Sequence, residues 1–145
     1  MIKSNLRSRR WSVLEHKLEE ILEWLLILSL AVKENHWNLR GKEFFYLHEK
    51  LDELNDDITE YADTIAERAR AREMYLAPKV AYEFSGESVS YTQAVNGIKS
   101  SLENLTMVLS GAIFNITDDL ATQDVLIETK RGVDKWLWMF TESSR

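Results

Sequence analysis

The chain has 145 residues, a formal net charge of −6, 45% hydrophobic residues and no cysteine. Those values fit one domain with a real core. They exclude disulfides and thiolate metal sites, and disfavour a body that binds nucleic acid through general positive charge. With one proline and five glycines in the whole length, the composition points to a mostly helical globule rather than to disorder.

Residues 1–11 read as a basic tail, with Lys3, Arg7, Arg9 and Arg10 and no acid among the first ten. The tail lacks the apolar stretch of a secretory signal. It is either a solvated end or an arm for DNA, and an arm gains strength when many sit on one particle. The longest apolar run, Trp24 to Val32 broken by Ser29, falls short of the ~20 residues a membrane span requires. The expected protein is soluble and cytoplasmic, with no membrane partner.

Residues 12–145 form the expected domain. Ser12-Val13-Leu14-Glu15 has capping-box spacing and opens a first helix. Leu14, Leu18, Ile21, Leu22, Leu25, Leu28 and Val32 follow i, i+3, i+4 spacing. Trp24, Leu26, Ile27 and Leu30 make its middle apolar nearly all round, so a second cover, another subunit, is expected. The helix ends near Asn38, with Gly41 at the turn. A second helix runs from about Glu43 to Arg72. Leu76 to Ser90, with Pro78 and Gly86, is a connector with room for one short helical turn. A third helix runs from about Thr92 to Asp118, and a fourth from about Thr122 to Glu142 with Val125, Leu126, Val133, Leu137 and Phe140 on its apolar face. Short first and third connections with a long middle one predict an all-α four-helix bundle, its long crossover making helices two and three parallel neighbours.

The second helix carries the chemistry. At 100° per residue, Leu47, Leu51, Leu54, Ile58, Tyr61, Ala62, Ile65 and Ala69 share an arc of about 100°. His48, Asp52, Asp63 and Glu67 form a stripe beside that arc, and Glu49, Glu53, Asp56 and Glu60 an acidic strip beyond it. His48/Asp52 and Asp63/Glu67 are i, i+4 pairs, and each can grip one ion. Imidazole with carboxylate and no thiolate suits iron, manganese or zinc. The two pairs are centred roughly 22 Å apart on one helix and cannot share an ion within one chain. A twofold axis between Asp57 and Ile58 would set the first pair of one copy against the second pair of the other. His36 adds an imidazole if the end of the first helix lies beside His48. Spacing alone favours a solvated, ion-paired helix face over the shared metal site.

His36-Trp37-Asn38, Gly41, Phe44, His48, Asp52, Asp63 and Ala66-Glu67-Arg68 resemble, at matching intervals, the signature of the Dps family, the mini-ferritins. Asp119, Thr122, Asp124, Asp134-Lys135 and Leu137-Trp138 match its pattern near the end of the chain. The resemblance implies a ferritin-like bundle assembled as a hollow dodecamer. It implies ferroxidase sites at twofold interfaces, with His36, His48 and Asp52 from one subunit and Asp63 and Glu67 from its partner. Trp37 would stand beside the site, where the family's tryptophan is associated with controlling radicals; an interface anchor is the plainer role. The implied activity is oxidation of Fe(II), preferably by hydrogen peroxide, with storage of ferric mineral and protection of DNA from oxidative damage. Zinc would compete for the same imidazoles.

Glu49, Glu53, Asp56 and Glu60 would face the cavity and nucleate mineral, or be ordinary solvated surface. Asp119 and Asp124 match acids of the family's ion-entry pores, with Glu128 one turn beyond; helix capping is the other reading of Asp119 and Asp124. The chain departs from the family after the second helix, where Arg70-Ala71-Arg72-Glu73-Met74-Tyr75 replaces a glycine-rich stretch, and at Ala121, a usual glycine. The short, lysine-poor tail leaves DNA binding open. The contrasting reading is a DNA-binding nucleoid protein or cage with little ferroxidase activity. A di-iron site inside one bundle would need Glu-x-x-His pairs, and none of the three histidines has Glu three places before it.

Overall fold

In this computed structural model the backbone of residues 2–145 and the side chains of 13–145 are described. Four helices follow one another: α1 (Ile2–Asn38), α2 (Phe44–Ala71), α3 (Tyr91–Asn115) and α4 (Leu120–Ser143). Helix α1 begins at Ile2 and not at the Ser12 capping box. No Gly or Pro lies between them, so nothing breaks the helical repeat upstream of Ser12. Lys3, Arg7, Arg9 and Arg10 of the expected tail therefore sit on helical backbone; their side chains lie outside the described residues.

The core is the arc expected on α2 packed against its counterparts. Leu47, Leu51, Leu54, Ile58, Ala62, Ile65 and Ala69 are all buried, with Tyr61 half-buried at the edge. On α4, Leu126, Val133, Trp136 and Phe140 are buried, while Val125 and Leu137 are half-buried. Trp24, Leu26, Ile27 and Leu30 of α1 stay half-buried in the single chain. Where α2 meets α4, Tyr61 occupies the space over Gly132: a Cβ there would stand 2.0 Å from the phenol oxygen.

Helix α1 packs on α2 and α3, and α4 packs on the same two. Helices α2 and α3 thus occupy opposite corners, which corrects the expectation that they are neighbours. The start of α3 is tied to the end of α1 by a Leu39–Val89 bridge, with Arg40 N–H donating to Val89 O at 2.9 Å and Val89 N–H to Asn38 O at 3.0 Å. The crossover therefore returns the chain to the end where α2 began. Helices α2 and α3 run parallel across the diagonal, and every adjacent pair is antiparallel.

No short helical turn forms in the crossover. Three of its backbone donors are satisfied sideways by carboxylates of α1. Ala77 N–H donates to Glu19 (3.2 Å), Lys79 N–H to Glu23 (2.8 Å) and Ser85 N–H to Glu34 (2.8 Å). Donors paired in this way have no need of an internal helical ladder.

Helix α2 ends in a Schellman arrangement, with Met74 N–H donating to Ala69 O and Glu73 N–H to Arg70 O, both at 2.9 Å. Met74 and Ala69, the positions whose hydrophobic contact accompanies this ending, are both buried. The left-handed position belongs to Glu73, at φ 60, and not to glycine. A non-glycine residue there costs about 1–2 kcal/mol, against a glycine entropy cost of about 0.5–1. Glu73→Gly is expected to raise stability by about 0.5–1 kcal/mol, read as an upward shift of the thermal midpoint.

Candidate metal centre

The turn Leu39–Glu43, with Gly41 at φ 123, folds the start of α2 back onto the end of α1. This sets the His36 and His48 rings face to face, with centroids 3.6 Å apart and planes 13° off parallel. The Nδ1 of each lies against the backbone carbonyl of the other, at 2.7 Å from His48 O and 2.8 Å from His36 O. A carbonyl oxygen only accepts, so both Nδ1 atoms carry hydrogen and donate. In the neutral imidazoles the lone pair is then on Nε2 of each, the atom a metal would use. Phe44 stacks on His48 at 4.7 Å and stiffens the group. His36 is buried and His48 half-buried.

Asp52, one turn beyond His48, sends Oδ2 to within 3.5 Å of His36 Nε2. Its Oδ1 is 2.7 Å from the ammonium of Lys33. That hydrogen bond, aided by His36 and His48 and opposed by burial, holds the carboxyl below its ordinary pKa. The Lys33 contact escaped the sequence reading, although Lys33 sits three residues before His36 on the same helix face.

The chain thus gathers His36, His48 and Asp52 and leaves Asp63 and Glu67 apart. The latter two are exposed on α2, with no hydrogen bond or ion pair to any described residue. Among the described residues no cluster of three or more His, Asp or Glu side chains is arranged to hold a metal ion. Trp37, beside His36, is 57% exposed, and its ring lies 6.1 Å from that of Phe84 on the crossover.

Asp119 is buried. It caps α4 by accepting from Thr122 N (3.2 Å) and Thr122 Oγ1 (2.6 Å), and it pairs with Arg68 at 3.2 Å and Arg72 at 3.3 Å. Arg68 Nε also donates to Thr122 Oγ1 at 2.9 Å. Within the chain this carboxylate works as a cap and a clasp between α2 and α4. Asp124 and Glu128 are exposed on α4, one turn apart. Glu49, Glu53, Asp56 and Glu60 are exposed on α2, and Glu53 pairs with Lys50 at 2.9 Å.

Burial pushes the Asp119 pKa up, but the Thr122 hydrogen bonds and the charges of Arg72 and Arg68 outweigh it and leave the net shift downward. A carboxyl whose folded pKa lies below its unfolded value of about 3.9 stabilises above that value and loses the contribution as pH falls through the folded one. Asp119→Asn is therefore expected to lower the thermal midpoint at neutral pH, with the gap to the native chain narrowing below about pH 4.

Residues 15–143 match the family model described as Ferritin-like domain. The chain is 32% identical over 128 residues to the DNA protection during starvation protein of Listeria monocytogenes, which spans 80% of this chain and 81% of that one. It superposes on Dps from Microbacterium arborescens, solved in a high iron form, with a TM-score of 0.84 and 29% identity, covering 92% of this chain and 93% of that one. Antigen TpF1 from Treponema pallidum shares the fold at a TM-score of 0.87 and 22% identity, covering 94% of each chain.

Proposed function

The chain belongs to the ferritin-like family and, within it, to the Dps proteins, and from that membership we propose that two copies build iron-oxidising centres between them. The observation that carries the reading is the division of the ligand set. His36, His48 and Asp52 converge with both imidazoles fixed for Nε2 ligation. Asp63 and Glu67 stand exposed and unengaged on the same helix. An isologous pairing of α2 with its copy completes two equivalent sites at once.

Fe(II) is the substrate. The neutral imidazoles bind it without adding positive charge, and the carboxylates favour the Fe(III) product. Two irons held side by side give two electrons to the O–O bond of hydrogen peroxide, so both oxygens leave at the level of water. Lys33 holds Asp52 until a cation arrives, and its ammonium then has to yield that oxygen. Twelve chains would enclose the ferric mineral, with Asp124 and Glu128 drawing in cations and Glu49, Glu53, Asp56 and Glu60 offering nucleation sites. Removing Fe(II) and peroxide together protects DNA in the cytoplasm. Among the described residues no helix is long and apolar enough to cross a membrane.

Light scattering is expected to give a particle of roughly 200 kDa, about twelve chains of 16.9 kDa. Stopped-flow oxidation is expected to consume roughly two Fe(II) per peroxide, with peroxide faster than dioxygen. A monomer, or Fe(II) oxidation no faster than in buffer, sinks the reading. The basic residues on the first turns of α1 favour a second role, DNA binding. Loss of a gel shift on removal of residues 1–10 at low salt would be its sign.

A further inference from the structure

We propose that the groove between α2 and α4 is a binding site for a small, flat aromatic molecule bearing one carboxylate, whose charge is taken by Lys135. The groove lies apart from the metal centre: Asp57, on its wall, is roughly 180° around α2 from His48. The proposal therefore does not rest on the iron reading.

The groove is open because residue 132 is glycine. A larger residue there would drive the Tyr61 ring into the space, since a Cβ would stand 2.0 Å from the phenol oxygen. The space left holds about 500 Å³, within the roughly 300–1,000 Å³ usual for small-molecule sites. Its floor is apolar: Leu47, Val95, Trp136 and Phe140 all line it and all are buried. Tyr46 and Tyr61 from α2 and Tyr91 from the start of α3 stand around it. A planar ring suits such a lining, because aromatic faces and edges pack on one another with a gain beyond the area they bury.

The polar groups select the charge of the ligand. Both acids at the groove are engaged. Lys50 holds the two oxygens of Glu53 at 3.0 and 2.9 Å, and Asp57 accepts from the Trp136 indole N–H at 2.7 Å. Lys135 is placed differently. The residues one helical turn away from it are Arg131, Gly132, Trp138 and Met139, and none offers a carboxylate. The adjacent Asp134 is held by Lys130 at 2.6 Å. Lys135 makes no hydrogen bond or ion pair among the described residues, and the Tyr46 and Tyr61 phenols make no hydrogen bond there. The unengaged groups of the groove, an ammonium and two phenols, are thus all donors. The occupant has to accept, and a carboxylate accepts with the added strength of its charge. Asp57 keeps its own negative charge under a neutral N–H, so the groove takes one carboxylate and repels a second.

Isothermal titration of the full-length protein in its native oligomeric state tests this with three probes: 2-naphthoate, the neutral 2-naphthylmethanol and the dianion naphthalene-2,6-dicarboxylate. Saturable binding of 2-naphthoate is expected at about one per chain, with both other probes weaker. Lys135→Gln, an exposed position, should weaken 2-naphthoate roughly 3–10-fold and leave the alcohol unchanged. Gly132→Ala should weaken the acid and the alcohol alike, because the Tyr61 phenol then fills the groove. Particle size and melting check that each variant is folded. Absence of saturable binding overturns the proposal, and a second copy of the chain seated on the groove would register in that way. Equal affinity for the acid and the alcohol overturns it too, as does an unchanged affinity for 2-naphthoate in either variant.

Discussion

Particles made only of His48→Ala chains, or only of Asp63→Ala chains, are expected to lose peroxide-driven Fe(II) oxidation. Each loss should exceed the ~10–100-fold typical when an outer partner of a metal site is removed. Particles refolded from an equal mixture of the two are expected to recover about a quarter of their sites. The fraction follows from the symmetry. A homodimer of either variant damages both of its sites. A mixed dimer concentrates both lesions in one site and leaves the other with a native His48 and a native Asp63. Random pairing makes half of the dimers mixed, and each has one intact site of two. A site contained within one chain would recover nothing in the mixture. His48→Ala also removes the donor to the His36 carbonyl, so its particle should melt lower than that of Asp63→Ala, whose exposed side chain makes no hydrogen bond or ion pair among the described residues.

Gly132→Ala is expected to destabilise the bundle by about 1–3 kcal/mol, although alanine is the better helix former. The added Cβ would meet the Tyr61 phenol at 2.0 Å from its oxygen and 2.6 Å from the ring carbon bearing it. A ring cannot bend away as an aliphatic chain does. The whole phenol must swing into the adjoining groove, of about 500 Å³, between α2 and α4. In a Tyr61→Ala background the obstacle is gone, and only the helix preference of about 1 kcal/mol is left. There Gly132→Ala should become stabilising. The reversal of sign across a double-mutant cycle, read from thermal midpoints, is the measurement. Equal effects in both backgrounds would mean that Tyr61 does not set the spacing of α2 and α4.

Periodicity and the positions of Gly and Pro made the helices legible, and the α2 arc from Leu47 to Ala69 came out buried as its 3.6-residue repeat required. The corner each helix occupies was not legible. A hydrophobic arc says which side faces inward and nothing about which helix is met there, so α2 and α3 appeared adjacent when they lie diagonal. His36 and His48 were legible as a pair because their helices are joined by a short turn. Their exchange of hydrogen bonds to each other's carbonyls was not, because it depends on ring orientation. Asp119 carried both a pore and a cap reading, and only the places of Arg68, Arg72 and Thr122 show how it is engaged within the chain. The capping box Ser90-Tyr91-Thr92-Gln93 was there to be read and was passed over.

The crossover's attachment to α1 has a kinetic side. Its hydrogen bonds to Glu19, Glu23 and Glu34 join residues 58, 56 and 51 apart in sequence, whereas each helical hairpin closes through a turn of a few residues. Local closures form early and cheaply, and long ones come after. The α1–α2 and α3–α4 hairpins are therefore expected to fold first as separate units, with docking of the crossover joining them late. Weakening one of those three carboxylates should leave the folding rate nearly untouched and show itself as faster unfolding, which makes the crossover the clasp that sets how long the bundle, once folded, stays closed.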